Sequence, residues 1–163
     1  MTRNGRNGIR VDTGDRKREH RMKYYTIGYG GRKPDDFIIL LKQKAVKTVV
    51  DVRLYPSSGS FGIYKKAKDP SKGVQGLLST AKIEYISMIE LGNNFMHYEN
   101  WRELYQKFIE KVGDMLIERL TTALKTYPEP YCLMCCEKKA SDCHREIIAD
   151  QMVKQGHEVE HIE

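Results

Sequence analysis

The apolar positions change their period several times along the chain, and each change marks an element. "YYTIG" at 24–28 is a short apolar and β-branched run that ends in glycines, the pattern of a buried strand entering a turn. In "KPDDFIILLKQKA" an apolar face follows from Phe37, Ile38, Leu40 and Leu41, while Pro34 suits a first helical turn and Asp35 and Asp36 complement the positive helix end. The β-branched run "VKTVVDVRLYP" comes next and is closed by Pro56. Strand, helix and strand at this spacing predict a βαβ unit with parallel strands and a right-handed crossover.

Residues 57–80 carry glycines, prolines and lysines without a clear period, which predicts a long loop with one helical turn near Leu77. "IEYISMIEL" reads as a third strand ended by the turn "GNN". From Trp101 to Tyr127 apolar residues recur at three- and four-residue steps, a long helix whose stripe, Met115 included, is assigned to the core. "YPEP" stops that helix, "YCLMCCE" is a further strand, "SDCHREIIADQMVKQG" a helix with a glycine stop, and "HEVEHIE" a last strand. The alternation predicts an α/β fold: one compact domain over residues 24–163, with a mostly parallel sheet flanked by helices. A basic arm, read as disordered, precedes it over 1–23.

A chain of 163 residues is long enough for one core without staples. No apolar run approaches the length of a bilayer span, and the opening residues lack the apolar stretch of a secretion signal, so a cytoplasmic protein is expected. Four cysteines at this length are too few for a secreted disulfide framework. The net charge of +6 raises the question of nucleic acid, but the excess sits in the arm. There Arg3, Arg6, Arg10, Arg16, Lys17, Arg18, Arg21 and Lys23 outnumber Asp12, Asp15 and Glu19, and the body is nearly neutral. The arm is read as a disordered extension, or as sequence ahead of a start at Met22, in preference to a tail that touches nucleic acid.

In open parallel sheets ligands sit beyond the carboxyl ends of the strands, so the candidate chemistry is collected there. The first strand ends in Gly28, Tyr29, Gly30, Gly31 and Arg32, a turn whose N–H groups could approach a phosphate, although a tight turn alone also explains it. In "DVR", Asp51 and Arg53 share a strand face, as an acid/base group with an anion-binding arginine or as a structural ion pair. All four cysteines fall in "CLMCCEKKASDCHR" at 132–145. Cys132, Cys135, Cys143 and His144 look like four zinc ligands, but Cys132 and Cys135 face opposite sides of a strand, and adjacent Cys143 and His144 rarely both reach one ion. No metal and no cofactor are therefore expected. Cys132 and Cys136 read as small core hydrophobes. Cys143, near a helix N-terminus beside His144 and Arg145, is the thiolate candidate, with Cys135 and Glu137 facing the same site.

"TIGYGG", "VVDVRLYP", "ELG", "LMCCE", "CHREIIAD" and "GHEVEHI", in this order and spacing, resemble the prokaryotic family catalogued as domain of unknown function 488, over Tyr24 to Ile162. The resemblance implies a compact α/β protein and supplies no activity. Its pattern maps onto Asp51, Arg53, Cys135, Glu137, Cys143, His144 and Arg145. Many relatives carry histidine and serine after "TIG", where this chain has Tyr29 and Gly30, and a second glycine after "ELG", where this chain has Asn93.

The expected function is an enzyme with Cys143, His144, Cys135, Glu137 and Asp51 as its reactive groups. Arg53 and Arg145, with Gly28, Gly30, Gly31 and Arg32, would hold an anionic small molecule or nucleotide. Cys143 is expected to alkylate fastest, and Arg145→Gln to slow that labelling with little loss of stability. The alternatives are a nucleic-acid-binding module using the arm, Tyr64 and the lysines of residues 64–72, and a metal-stabilised interaction domain.

Overall fold

The computed structural model describes residues 21–58 and 62–163. The arm assigned to 1–23 lies outside these apart from its last three residues. The chain runs β1 (Lys23–Gly28), α1 (Pro34–Gln43), β2 (Thr48–Asp51), α2 (Gly73–Thr80), β3 (Glu84–Ser87), α3 (Trp101–Leu124), β4 (Tyr131–Cys135), α4 (His144–Lys154) and β5 (Glu158–Ile162). The five strands form one sheet in the order β3-β2-β4-β1-β5, and every pairing is parallel. The α/β architecture follows the alternation in the sequence.

Side-chain alternation divides the interior into two layers. Tyr25, Ile27, Val49, Cys132 and Met134 point to the face covered by α1 and α2, where Phe37, Leu41, Val74 and Leu78 pack. Tyr24, Val50, Leu133 and Cys135 point to the face covered by α3 and α4. There α3 buries Tyr105, Ile109, Leu116, Ile117, Leu120 and Leu124, each stabilising the fold by about 1.5–3 kcal/mol. Met115, expected in that stripe, is 54 % exposed, because it sits one position ahead of Leu116 and points away from the sheet.

Within the long loop expected over 57–80, the described residues hold more regular structure than the composition suggested. Gly62–Tyr64 form a 3-10 turn and Gly73–Thr80 form α2, whose period is hidden by its short length. Tyr64, proposed as a nucleic-acid contact, is buried instead: its ring stacks on Tyr29 at 4.5 Å and its hydroxyl donates to Arg32 O. Ser141 and Asp142 belong to a 3-10 turn over Ala140–Asp142, so α4 begins at His144 with Cys143 as its N-cap. No helix among the described residues is long and apolar enough to cross a membrane.

Candidate functional site

The chain leaves β2 for the face of α1 and α2 and leaves β4 for the face of α3 and α4, although β2 and β4 are neighbours. Connections that part in this way open a crevice beyond the carboxyl ends of the two strands. A cavity of about 370 Å³ occupies it, with Arg53, Leu54 and Tyr55 after β2, Cys135, Cys136 and Glu137 at the end of β4, and His144 at the start of α4. Asn93, Met96 and His97, from the loop after β3, close the far side.

Cys135 and His144 on the floor converge with Cys143 beneath it, each buried, with their sulfur and nitrogen atoms within 4.8 Å of one another. His144 Nδ1 lies 3.7 Å from Cys135 Sγ and 3.8 Å from Cys143 Sγ. Its Nε2 is 3.0 Å from Val52 O, and a carbonyl can only accept, so Nε2 carries the hydrogen and Nδ1 is left facing the sulfurs. The ring is packed edge-on against Tyr105. Cys143 Sγ also accepts from Arg145 N at 3.5 Å as the helix cap.

The thiols differ as their surroundings do. Cys143 is driven well below the ordinary thiol range, first by the hydrogen bond from Cys135 and then by His144 and the Arg145 N–H, with burial opposing. Cys135 is pushed up by sharing that hydrogen bond and by burial. Burial raises Cys132 on the opposite face. Loss of solvent around its carboxylate raises Glu137, with repulsion from Cys143 behind it; Glu137 Oε2 lies 3.5 Å from Cys135 Sγ.

Two expectations about the cysteines change. Cys143 is the depressed thiol but is 1 % exposed and does not line the cavity, whereas Cys135 does. Cys136, assigned to the core, is half-buried and lines the cavity as well, because β4 ends at Cys135 and the chain turns outward there.

Asp51 and Arg53 share a face, as expected from strand geometry, and they pair with each other. Arg53 Nε and Nη2 donate to the two Asp51 oxygens at 2.8 and 2.6 Å, Arg53 N donates to Oδ1 at 3.1 Å, and Tyr85 Oη donates to Oδ2 at 2.6 Å. Asp51 is fully buried, so it acts as the anchor of Arg53 rather than as an acid or base open to the cavity. Arg53 Nη1 also donates to Tyr29 Oη at 3.1 Å, and Arg53 is brought to the cavity wall.

The glycine turn and Arg145, expected to bind an anion, make structural contacts with the ends of β1 and β4. A Cβ on Gly28 would lie 1.7 Å from Glu137 O, and one on Gly30 2.6 Å from Cys136 O, so these glycines let the β1 and β4 ends approach. The Gly30 N–H donates to Cys136 O at 2.7 Å. Gly31 takes φ +67° to close the turn, and Arg32 Nε donates back to Gly28 O. Arg145 is fully buried and ties the β4–α4 turn down: Nη1 donates to Glu137 O at 2.5 Å, Nη2 to Lys138 O at 2.9 Å, and Nε to Thr26 Oγ1 at 3.3 Å. None of these five residues lines the cavity.

A larger concavity, about 670 Å³, opens at the amino-terminal edge between Met22, Tyr131 and the last turns of α3. Among the described residues its walls are threonine, tyrosine, glutamate, lysine and methionine, without a thiol, imidazole or guanidinium. Sequence reasoning did not single out Tyr29 and Tyr85, which hold the Asp51–Arg53 pair, or His97 and Met96 on the rim. Only "GNN" reads as a turn there, and the length of the stretch before Trp101 is the available signal.

The family model described as domain of unknown function DUF488 matches residues 33–152, which is most of the chain. The chain belongs to this family. No curated protein and no solved structure matches it.

Proposed function

We propose that this protein is a cytoplasmic enzyme whose working centre is the cavity at the carboxyl edge of the sheet. Its substrate is a small anionic molecule, of the phosphate-bearing or nucleotide-like class. The observation that carries the reading is the convergence of two thiols and an imidazole, from a strand end and a helix start, at a mainly apolar cavity that Cys135 and His144 line and Cys143 underlies. Such groups are costly to bury without a task, and here the two thiols are pushed in opposite directions, Cys143 down and Cys135 up, while sharing a hydrogen bond. Arg53, held in place by Asp51, and His97 at the rim supply the polar contacts for an anion; Asp51 offsets part of the Arg53 charge, which favours a substrate of low charge over a polyanion. Glu137, with its raised proton affinity, is placed to exchange a proton with a group bound beside Cys135.

The test is a thermal-shift screen of wild-type protein against nucleoside monophosphates, sugar phosphates and carboxylic acids. At least one class should raise the melting temperature, and the shift should shrink in Arg53→Gln and in His97→Ala, whose side chain is exposed and dispensable for folding. Hits that survive both changes but vanish on Thr122→Lys, in the concavity at the other edge, would move the site there.

A further inference from the structure

Cys135 and Cys143 need not act on a substrate directly, because their arrangement with His144 has the dimensions of a metal centre. We propose that Cys135 Sγ, Cys143 Sγ and His144 Nδ1 are three ligands of a tetrahedral Zn²⁺ ion, whose fourth position faces the cavity beside Glu137. This rests on the reading of the cavity as the working centre and changes the part its sulfurs play, from reactive thiols to ligands.

With Zn–S about 2.3 Å and Zn–N about 2.0–2.1 Å, a tetrahedron has sulfur–nitrogen edges of about 3.6 Å and a sulfur–sulfur edge of about 3.8 Å. The two sulfur–nitrogen edges here are 3.7 and 3.8 Å, and all three atoms lie within 4.8 Å. Closing on an ion takes shifts of tenths of an ångström along the sulfur–nitrogen edges, and at most about 1 Å along the sulfur–sulfur edge. The donor set also selects the metal: two sulfurs and an imidazole suit zinc and do not suit magnesium or calcium.

The surroundings are those a ligand set requires. A metal-binding histidine presents one nitrogen to the ion and gives its other N–H to a carbonyl or carboxylate, as His144 does to Val52 O at 3.0 Å. The Arg145 N–H at 3.5 Å supports a thiolate at Cys143. Zinc with two thiolates and one neutral imidazole carries no net charge, which suits a floor where all three residues are buried.

The objection from sequence was that adjacent residues seldom bind one ion. The backbone removes it here: Cys143 is the extended N-cap, φ −128° and ψ 149°, and His144 opens the helix, so neighbouring side chains do not take helical spacing. The other half of the objection stands, since Cys132 belongs to the opposite face and is no ligand. Cys135 and His144 line the cavity together with Glu137, which leaves the fourth position to a water that can pass a proton to Glu137.

Protein purified without chelator, or incubated with equimolar zinc and desalted, is measured by elemental analysis. About one zinc per chain is expected in wild type and in Cys136→Ala, and at least a tenfold loss in Cys135→Ala and in Cys143→Ala. Cobalt-substituted wild type, which needs no variant to fold, should show sulfur-to-cobalt charge transfer in the near ultraviolet and the strong visible bands of a tetrahedral site. A wild type that retains no zinc and gives an octahedral cobalt spectrum overturns the metal site; if anions still bind the cavity, the functional reading survives that result. Zinc at stoichiometry without any cavity ligand supports the metal site and removes the proposed substrate class.

Discussion

Arg145→Gln separates the structural from the substrate-binding reading of the "CHR" stretch. In the folded protein its guanidinium is fully buried and donates to Glu137 O, Lys138 O and, at a longer 3.3 Å, to Thr26 Oγ1. Hydrogen bonds from a charged group contribute about 1.5–3 kcal/mol each, so the two good ones amount to roughly 3–6 kcal/mol. Glutamine can recover one of them, and removing a buried cation returns part of its desolvation cost. The net loss should be about 2–4 kcal/mol, or a fall of roughly 4–16 °C in melting temperature for a chain of this size. Arg102→Gln is the control. Arg102 pairs with Glu146 at 2.9 Å near the same turn, but with side chains 42 % and 34 % exposed, and should cost under about 1 kcal/mol. Equilibrium urea unfolding of both variants gives the comparison, provided the slopes agree with wild type. If Arg145→Gln costs no more than its control, the guanidinium is not the clamp of the β4–α4 turn, and a role toward a bound anion regains force.

Three further outcomes are expected. Gly28→Ala should cost about 3 kcal/mol or more by urea unfolding, because its Cβ would overlap the Glu137 carbonyl, whereas Gly31→Ala, strained only by its positive φ, should cost about 1–2 kcal/mol; equal costs would deny the close approach. In chelator-treated protein, mass-spectrometric mapping of alkylation should find Cys136 and Cys135 ahead of Cys143, and Cys132 last, since access and not proton affinity orders them; Cys143 leading would refute its burial. Glu160 is lowered first by the hydrogen bond from Lys44, so this pairing stabilises the fold above the ordinary carboxylate range and is lost as pH falls through the depressed value. The melting-temperature gap between wild type and Lys44→Met should therefore be widest near neutral pH and close in acid; a gap that widens in acid would contradict that sign.

Much of this was legible in the sequence because the signals were local. Most strands declare themselves through short apolar or β-branched runs bounded by turn residues, and α3 through helical spacing sustained over 24 residues, while α2 has eight residues and too few turns to show a period. The strand-end rule pointed to the carboxyl edge of the sheet, where the thiol–imidazole cluster and its cavity lie, since a parallel sheet with helices on both faces leaves few other places for polar side chains. What it could not resolve is which face each residue takes once the strand has ended. Asp51 and Arg53 lie with Tyr29 and Tyr85 on one side, and the cysteine cluster lies on the other; they meet only at the cavity, where Arg53 reaches the wall. Arg145 illustrates the same limit. A cation beside a candidate thiolate suggests an anion clamp, yet three carbonyl and hydroxyl acceptors from distant and local chain satisfy it, and no residue spacing encodes those.

The cysteines carry this point furthest. Periodicity placed Cys132 and Cys135 on opposite faces, which the two core layers bear out. It also held that the adjacent Cys143 and His144 rarely both reach one point, whereas here both lie within 4.8 Å of Cys135 Sγ because α4 starts between them. An N-cap is where backbone conformation changes within one residue, so side chains on either side of it can converge as they never do inside a helix. The loop from Glu137 to Asp142 fixes that boundary: Arg145 pins its carbonyls from below, and the glycines at 28 and 30 let β1 press against it from the side. The clamp, the close-packed glycines and the helix cap thus act on one short segment, and what they jointly fix is the position of two sulfurs and one nitrogen. If that is their purpose, Arg145→Gln should disturb metal retention or cavity binding beyond what its stability loss alone produces, measured at a temperature where the variant is still fully folded; binding unchanged there would mean that the clamp serves the fold alone.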